Sequence, residues 1–266
     1  MKLIMLGTGN ATVTECYNTC FVLEDAKKYF LVDGGGGIRL LHQLKCAGIT
    51  WPDIREIFIT HKHIDHLLGI VWMVRMILQN MSRGTYAGQA RIYGHAEVIT
   101  LLENMARTLF SEKETAFIGS RLQLVQVKDG EEKTVIGHAV TFFDIGSDKA
   151  RQFGFSMQLS NNERLVCCGD EPYRACEEKY ARGCKWLMHE AFCLYSQADV
   201  FLPYQKKHST VADACRTAQS LQVSNLVLYH TEDKNISQRK TLYTAEGKQF
   251  YGGNLYVPDD LETLEL

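Results

Sequence analysis

The stretch Thr60-His61-Lys62-His63-Ile64-Asp65-His66, set between Ile57-Phe58-Ile59 and Leu67-Leu68-Gly69-Ile70, decides how the rest of the chain is read. Three of the chain's nine histidines and one aspartate fall within six consecutive positions, directly after an apolar strand. On an extended backbone side-chain direction repeats every two residues, so His61 and His63 project to one face. A turn then brings Asp65 and His66 round to meet them. Imidazole and carboxylate are donors that suit zinc, manganese or iron. Two histidines side by side, then an aspartate and a third histidine, predict two adjacent metals. A polar loop that is His-rich by chance fits poorly, because both flanks are apolar.

A metal site needs further donors, and strand ends supply them. Asp170 follows Leu165-Val166-Cys167-Cys168-Gly169, and His230 ends Asn225-Leu226-Val227-Leu228-Tyr229. A ligand placed after a buried strand is held by a rigid scaffold. His189-Glu190 ends another apolar run, and His208-Ser209-Thr210 precedes a helix that Ser209 or Thr210 can cap. Glu190 could orient His208 through a charge-assisted hydrogen bond and keep it available as a general acid; spacing alone equally allows an ordinary cap and a buried histidine.

Working outward, strands are expected at 2–6, 20–24, 28–32, 56–60, 121–128, 134–145, 153–159, 164–168, 185–189, 225–229 and 254–257. Helical spacing predicts helices over 38–47, 67–79, 95–110, 172–182, 209–221 and 237–250. The helix at 67–79 is apolar on nearly all faces, so it should be buried or lie in a subunit interface. Gly34 to Gly37 permit positive φ and close backbone approach. No Gly-Lys-Ser/Thr follows them, so they do not read as a phosphate cradle. Strands and helices alternate without a break, which predicts one α/β domain over residues 1–266.

The 266 residues are 45% hydrophobic and 23% charged, enough to bury roughly three-quarters of the unfolded chain's surface. A net charge of −2 gives no overall drive toward nucleic acid or membrane. The nine cysteines are odd in number and form no Cys-x-x-Cys pair, so reduced thiols are expected. Adjacent Cys167 and Cys168 should face opposite sides of a strand. No apolar run reaches the length of a membrane span, and the protein is expected to be cytoplasmic.

Taken in order, these segments resemble the metallo-β-lactamase superfamily, and within it the ribonuclease Z branch. The resemblance runs through Gly7-Thr8-Gly9, Asp33-Gly34, Thr60 to His66 with Gly69, Gly169-Asp170, His189-Glu190-Ala191, His208-Ser209-Thr210 and His230. His-Glu-Ala followed by His-Ser-Thr is the more discriminating part. The resemblance implies a four-layer αβ/βα sandwich with metals at one edge of two facing sheets. It implies that His61 and His63 bind one ion, that Asp65, His66 and His230 bind a second, and that Asp170 bridges them. The cofactor expected is two divalent cations, zinc foremost, with manganese or iron as alternatives. The function implied is a metal-dependent phosphodiesterase acting on RNA 3′ ends or smaller phosphodiesters, with Asp65, His208 and Glu190 as catalytic residues. The alternative is a hydrolase of carbon esters, thioesters or lactones on the same fold. By analogy and composition, the apolar helix could join two copies as a homodimer.

Two departures from the family pattern stand out. The family's further metal-binding histidine lies six residues before a Gly-Tyr pair. Counting back from Gly154-Phe155 gives Asp148, which is expected to take that place as an oxygen ligand. The Gly/Pro-rich arm that grips tRNA is also missing. Only 15 residues separate Gly154 from Asp170, enough for one tight hairpin around Asn161-Asn162.

Overall fold

The computed structural model describes residues 1–159 and 162–266. The strands are Lys2–Gly7 (β1), Cys20–Asp25 (β2), Lys28–Val32 (β3), Ile54–Phe58 (β4), Ala90–Gly94 (β5), Leu122–Gln126 (β6), Glu131–Val135 (β7), His138–Asp144 (β8), Phe153–Gln158 (β9), Arg164–Cys167 (β10), Trp186–Glu190 (β11), Asn225–Tyr229 (β12), Asn254–Tyr256 (β13) and Thr263–Glu265 (β14). The helices are Arg39–Cys46 (α1), Ile64–Ser82 (α2), Ala96–Leu109 (α3), Glu112–Thr115 (α4), Glu178–Ala181 (α5), Ala198–Phe201 (α6), Val211–Ser220 (α7) and Arg239–Gly247 (α8).

Two seven-stranded sheets form, in the orders β14-β1-β2-β3-β4-β5-β6 and β13-β12-β11-β10-β9-β8-β7. Side-chain alternation sorts each strand between two cores. Leu3, Met5, Phe30 and Val32 point between the sheets, where they meet Phe155, Leu165, Cys167, Met188 and Val227. Ile4, Leu6 and Leu31 face the other way, onto Leu40 of α1 and Ile70 and Met73 of α2. On the far side Val166, Cys168, Leu187 and Leu226 pack against Val211 and Ala214 of α7 and Tyr243 of α8. The expected α/β sandwich of four layers follows from this alternation, and Cys167 and Cys168 do part to opposite faces. The inter-sheet layer is aromatic: Phe30 and Phe58 meet Phe155 edge-on at 5.7 and 6.0 Å. Truncating such a ring to Ala costs about 3–5 kcal/mol.

Both sheets change from antiparallel to parallel partway across, at β3–β4 and at β10–β11. Parallel strands deliver their C-terminal ends to one edge, the usual place for a site in an α/β sheet. That edge receives Asp33 after β3, residues 60–66 after β4, Asp170 after β10, Glu190 ending β11 and His230 after β12.

Three of the expected elements are built differently, and β5, α4, α6 and β14 had no expected counterpart. The strand predicted over 134–145 is the hairpin β7–β8, turning at Ile136 (φ 48°) and Gly137 (φ 99°). A two-residue hairpin with φ positive at both positions is well matched to sheet twist, but a β-branched residue there gives no turn signal. The helix predicted over 172–182 is delayed by an extended Arg174 (φ −125°), leaving one 3-10 turn at Ala175–Glu177 before α5. The helix predicted from 67 begins at Ile64, because His63 before it is still extended, and Asp65 joins its first turn. A carboxylate there is favoured by the helix dipole. Of the hairpin expected around Asn161-Asn162, Asn161 lies outside the described residues; β9 and β10 themselves pair antiparallel, Gln158 opposite Arg164.

Candidate metal centre

His61, Asp65, His66, Asp170 and His230 are all buried, and their polar atoms converge. His61 Nε2 and His63 Nδ1 face each other at 2.8 Å. Asp170 Oδ2 lies 3.7 Å from His61 Nε2, 3.4 Å from His66 Nε2 and 3.4 Å from His230 Nε2. Asp65 Oδ2 lies 3.3 Å from His66 Nε2 and 3.6 Å from His230 Nε2. Two donors about 2.1 Å from one ion at a tetrahedral angle are about 3.4 Å apart, so these separations are those of ligands around a cation. Buried His66 Nε2 and His230 Nε2 have no hydrogen-bond partner. A buried polar atom left unpaired is costly, and a cation would satisfy both. The residues fit a metal.

The ring orientations are set from behind. Asp33 Oδ2 accepts from His66 Nδ1 at 2.7 Å and from the Thr60 hydroxyl at 2.7 Å, and Asp33 Oδ1 accepts from the Thr60 backbone N–H at 2.8 Å. With its proton committed to Asp33, the Thr60 oxygen receives the His61 Nδ1 proton at 2.9 Å. The bonds from behind therefore leave Nε2 of both imidazoles aimed at Asp170, the atom a neutral ring would offer to a metal. Asp33 holds this post from a left-handed backbone position, φ 57°. The loop after it touches α2: a Cβ on Gly69 would lie 1.8 Å from the Gly34 carbonyl oxygen. The glycines serve close approach.

The cluster's electrostatics favour ionised carboxylates. Burial opposes the charge on Asp65 and Asp170, but the surrounding imidazoles outweigh it and hold both below the usual carboxylate range. Burial also opposes charge on His66, yet Asp65 and Asp33 raise it well above its ordinary value. Burial dominates at His61 and holds it well below.

His208 sits beside this group, its ring centroid 5.1 Å from that of His230 and stacked on Phe192 at 5.1 Å. Glu190 Oε2 is 3.6 Å from His208 Nδ1, closer to an ion-pair contact than the expected hydrogen bond. Such contacts are often long in unliganded enzymes and tighten around substrate. The other Glu190 oxygen accepts the backbone N–H of Ser209, which fixes the carboxylate next to His208.

Asp148 is not brought into the centre. It is an exposed residue, and its carboxylate forms a two-point pair with Arg174 at 3.2 and 2.7 Å. A partly solvated Arg–carboxylate fork needs no desolvation, so it outcompetes the turn inward. Gln152 enters instead: buried, it donates to Asp170 Oδ1 at 2.6 Å and lies 3.2 Å from His61 Nδ1. Next to Asp148, Lys149 points the other way, its Nζ 3.4 Å from His208 Nε2. Asp33, Thr60, Gln152 and Lys149 were not identified as site residues from sequence; for Asp33 the signal available was an acid ending a buried strand, as at Asp170.

Comparison with known proteins bears on the fold and the family. The chain is 27% identical to a ribonuclease Z of Pseudomonas putida over 315 aligned positions, covering 100% of this chain and 97% of that one. Among solved structures, the metallo-β-lactamase fold protein YhfI of Bacillus subtilis superimposes with a TM-score of 0.77 at 14% identity, covering 99% of this chain and 98% of that one. The short form of human tRNase Z superimposes with a TM-score of 0.73 at 19% identity, covering 100% and 99%. The family model described as Anti-Pycsar protein Apyc1 matches residues 1–249. The chain belongs to that family, and with it to the ribonuclease Z-like part of the metallo-β-lactamase superfamily.

Proposed function

We propose that the protein is a binuclear metal-dependent phosphodiesterase, ribonuclease Z-like in chemistry, acting on a small phosphodiester. The observation that carries this reading is Asp170 Oδ2, one carboxylate oxygen within 3.7 Å of nitrogens from both halves of the ligand set. In this reading His61 and His63 would hold one ion, Asp65, His66 and His230 would hold the other, and Asp170 would serve both; zinc suits the set, with manganese or iron as alternatives. Such a pair supplies a nucleophile from water at neutral pH and offsets charge on phosphoryl oxygens.

The chain's own groups do the rest. Asp65 stays ionised and sets the nucleophile's side of the site. His208, beside His230 and held by Glu190, donates a proton to the departing oxygen. The stacked Phe192 face keeps that imidazole from rotating and keeps water off one side of it.

A small substrate is favoured by the connection from β9 to β10, which is five residues, 159–163. A tRNA-gripping arm inserted there has no room. We read the setting as cytoplasmic, since all nine cysteines are free; among the described residues no helix is long and apolar enough to cross a membrane. A homodimer belongs to the same reading, and exposed Ile64 and Trp72 on α2 are apolar side chains available to it.

The test offers metal-loaded protein bis(p-nitrophenyl) phosphate, small natural phosphodiesters, a tRNA precursor, and a lactone and thioester panel. Hydrolysis of the small diesters, abolished in His66→Ala, is expected. Turnover of lactones or thioesters with none of phosphodiesters would overturn the assignment, and cleavage of precursor tRNA alone would overturn the small-substrate reading.

A further inference from the structure

We propose that Lys149 is a substrate-binding residue, its ammonium gripping a non-bridging oxygen of the scissile phosphate on the leaving-group side. The inference rests on the phosphodiesterase reading above.

The geometry begins with the loop that carries it. Ser147 Oγ donates to Glu171 Oε1 at 2.6 Å and accepts the backbone N–H groups of Lys149 at 3.1 Å and Ala150 at 3.3 Å. Those bonds pin the base of the loop against the segment just after Asp170. Asp148 is drawn outward by its fork with Arg174. With that side chain fixed outward, its neighbour is turned inward, and Lys149 Nζ comes to 3.4 Å from His208 Nε2.

The lysine ammonium and the imidazole nitrogen meet at that spot. Among the described residues, no carboxylate lies within ion-pair distance of Lys149; the nearby acids are all engaged. Glu171 is bonded to Ser147, Asp148 to Arg174, and Glu190 to Ser209. An exposed lysine with no carboxylate, its Nζ resting against an imidazole nitrogen, lacks an anion. A phosphodiester fills that gap. It arrives with one negative charge and gains a second as the nucleophile adds, and a fixed cation where charge develops is worth more than one in water. His208 then faces the leaving oxygen and Lys149 a non-bridging one, separated by the 3.4 Å seen here. Lysine suits this as a compact point charge on a flexible stem, a common phosphate binder.

The test uses metal-loaded full-length protein with Lys149→Ala, Lys149→Arg and Lys149→Glu. Inorganic phosphate binding is measured by calorimetry, and KM and kcat for bis(p-nitrophenyl) phosphate are measured alongside metal content. Lys149→Ala should weaken phosphate binding and raise KM by roughly 10- to 100-fold, the size of a charge-assisted contact. Lys149→Arg should recover to within about threefold, Lys149→Glu should be worse than Ala, and metal content should not change. Phosphate binding in Lys149→Ala within twofold of wild type would overturn the proposal, as would loss of metal. A fall in kcat confined to poor leaving groups with phosphate binding intact would also overturn it, by making Lys149 a proton donor. If wild type bound phosphate through Lys149 but cleaved no phosphodiester, the functional reading would fail while the anion site stood.

Discussion

Replacing Asp33 by Asn tests whether the centre is built from behind. Asparagine keeps the shape and tolerates the left-handed backbone at φ 57°, so the loop itself is spared. What changes is the donor count. Two carboxylate oxygens receive three donors here: the Thr60 N–H, the Thr60 hydroxyl and His66 Nδ1. Asparagine offers one acceptor and adds a donor. If its amide nitrogen replaces Oδ2, His66 must accept at Nδ1 and carry its proton on Nε2, which blocks coordination. The Thr60 hydroxyl, released from Asp33, then frees His61 to take the wrong tautomer too. Loss of such a supporting partner lowers metal affinity about 10- to 100-fold, or about 1.4–2.8 kcal/mol. A further ~1–3 kcal/mol of stability goes with the buried unpaired donor. Competition with a chromogenic chelator measures the first effect, and thermal melting of metal-free protein the second. Metal affinity within twofold of wild type would refute the tautomer argument.

Other expectations can be checked with the same preparations. His208→Ala should slow diesters with alkyl leaving groups by about 100-fold or more and p-nitrophenyl esters far less; equal losses on both would rule out proton donation. Gly69→Ala places a Cβ 1.8 Å from the Gly34 oxygen, so α2 must back away from the Asp33 loop. It should cost about 1–3 kcal/mol in melting experiments and weaken metal binding, and an unchanged melting temperature would contradict the close approach. Burial pushes the Glu177 carboxyl up from 4.5 to about 8, against the Arg174 backbone N–H that favours its charged form. Its stabilising share is full below pH 4.5, where folded and unfolded chains are both protonated, and is lost as pH rises through about 8. Glu177→Gln should therefore melt higher than wild type at pH 8.5 and converge with it near pH 4.5; a constant offset across that range would sink the reasoning.

The parts of the site legible in the sequence are those held by the backbone alone. Residues 61–66 are contiguous, and Asp170 and His230 end apolar strands, so the fold's parallel half necessarily carries them to one edge. Asp33 and Gln152 act through contacts 27 and 91 residues away in sequence, at Thr60 and His61, which no local pattern encodes. Asp148 shows the limit of counting along a chain. Its backbone position follows from Gly154, but its side chain follows Arg174, 26 residues on, and the same choice turns Lys149 inward. In the fold, layers and most strands follow from period-two alternation. The β7–β8 turn was hidden because Ile136 takes a conformation that its branched side chain disfavours.

The most direct test of the account is anomalous diffraction from crystals of zinc-loaded protein. It should show two peaks per chain, one against His61 and His63, the other against Asp65, His66 and His230, with the Asp170 carboxylate between them. A single peak, or a peak bound by Asp148, would contradict it.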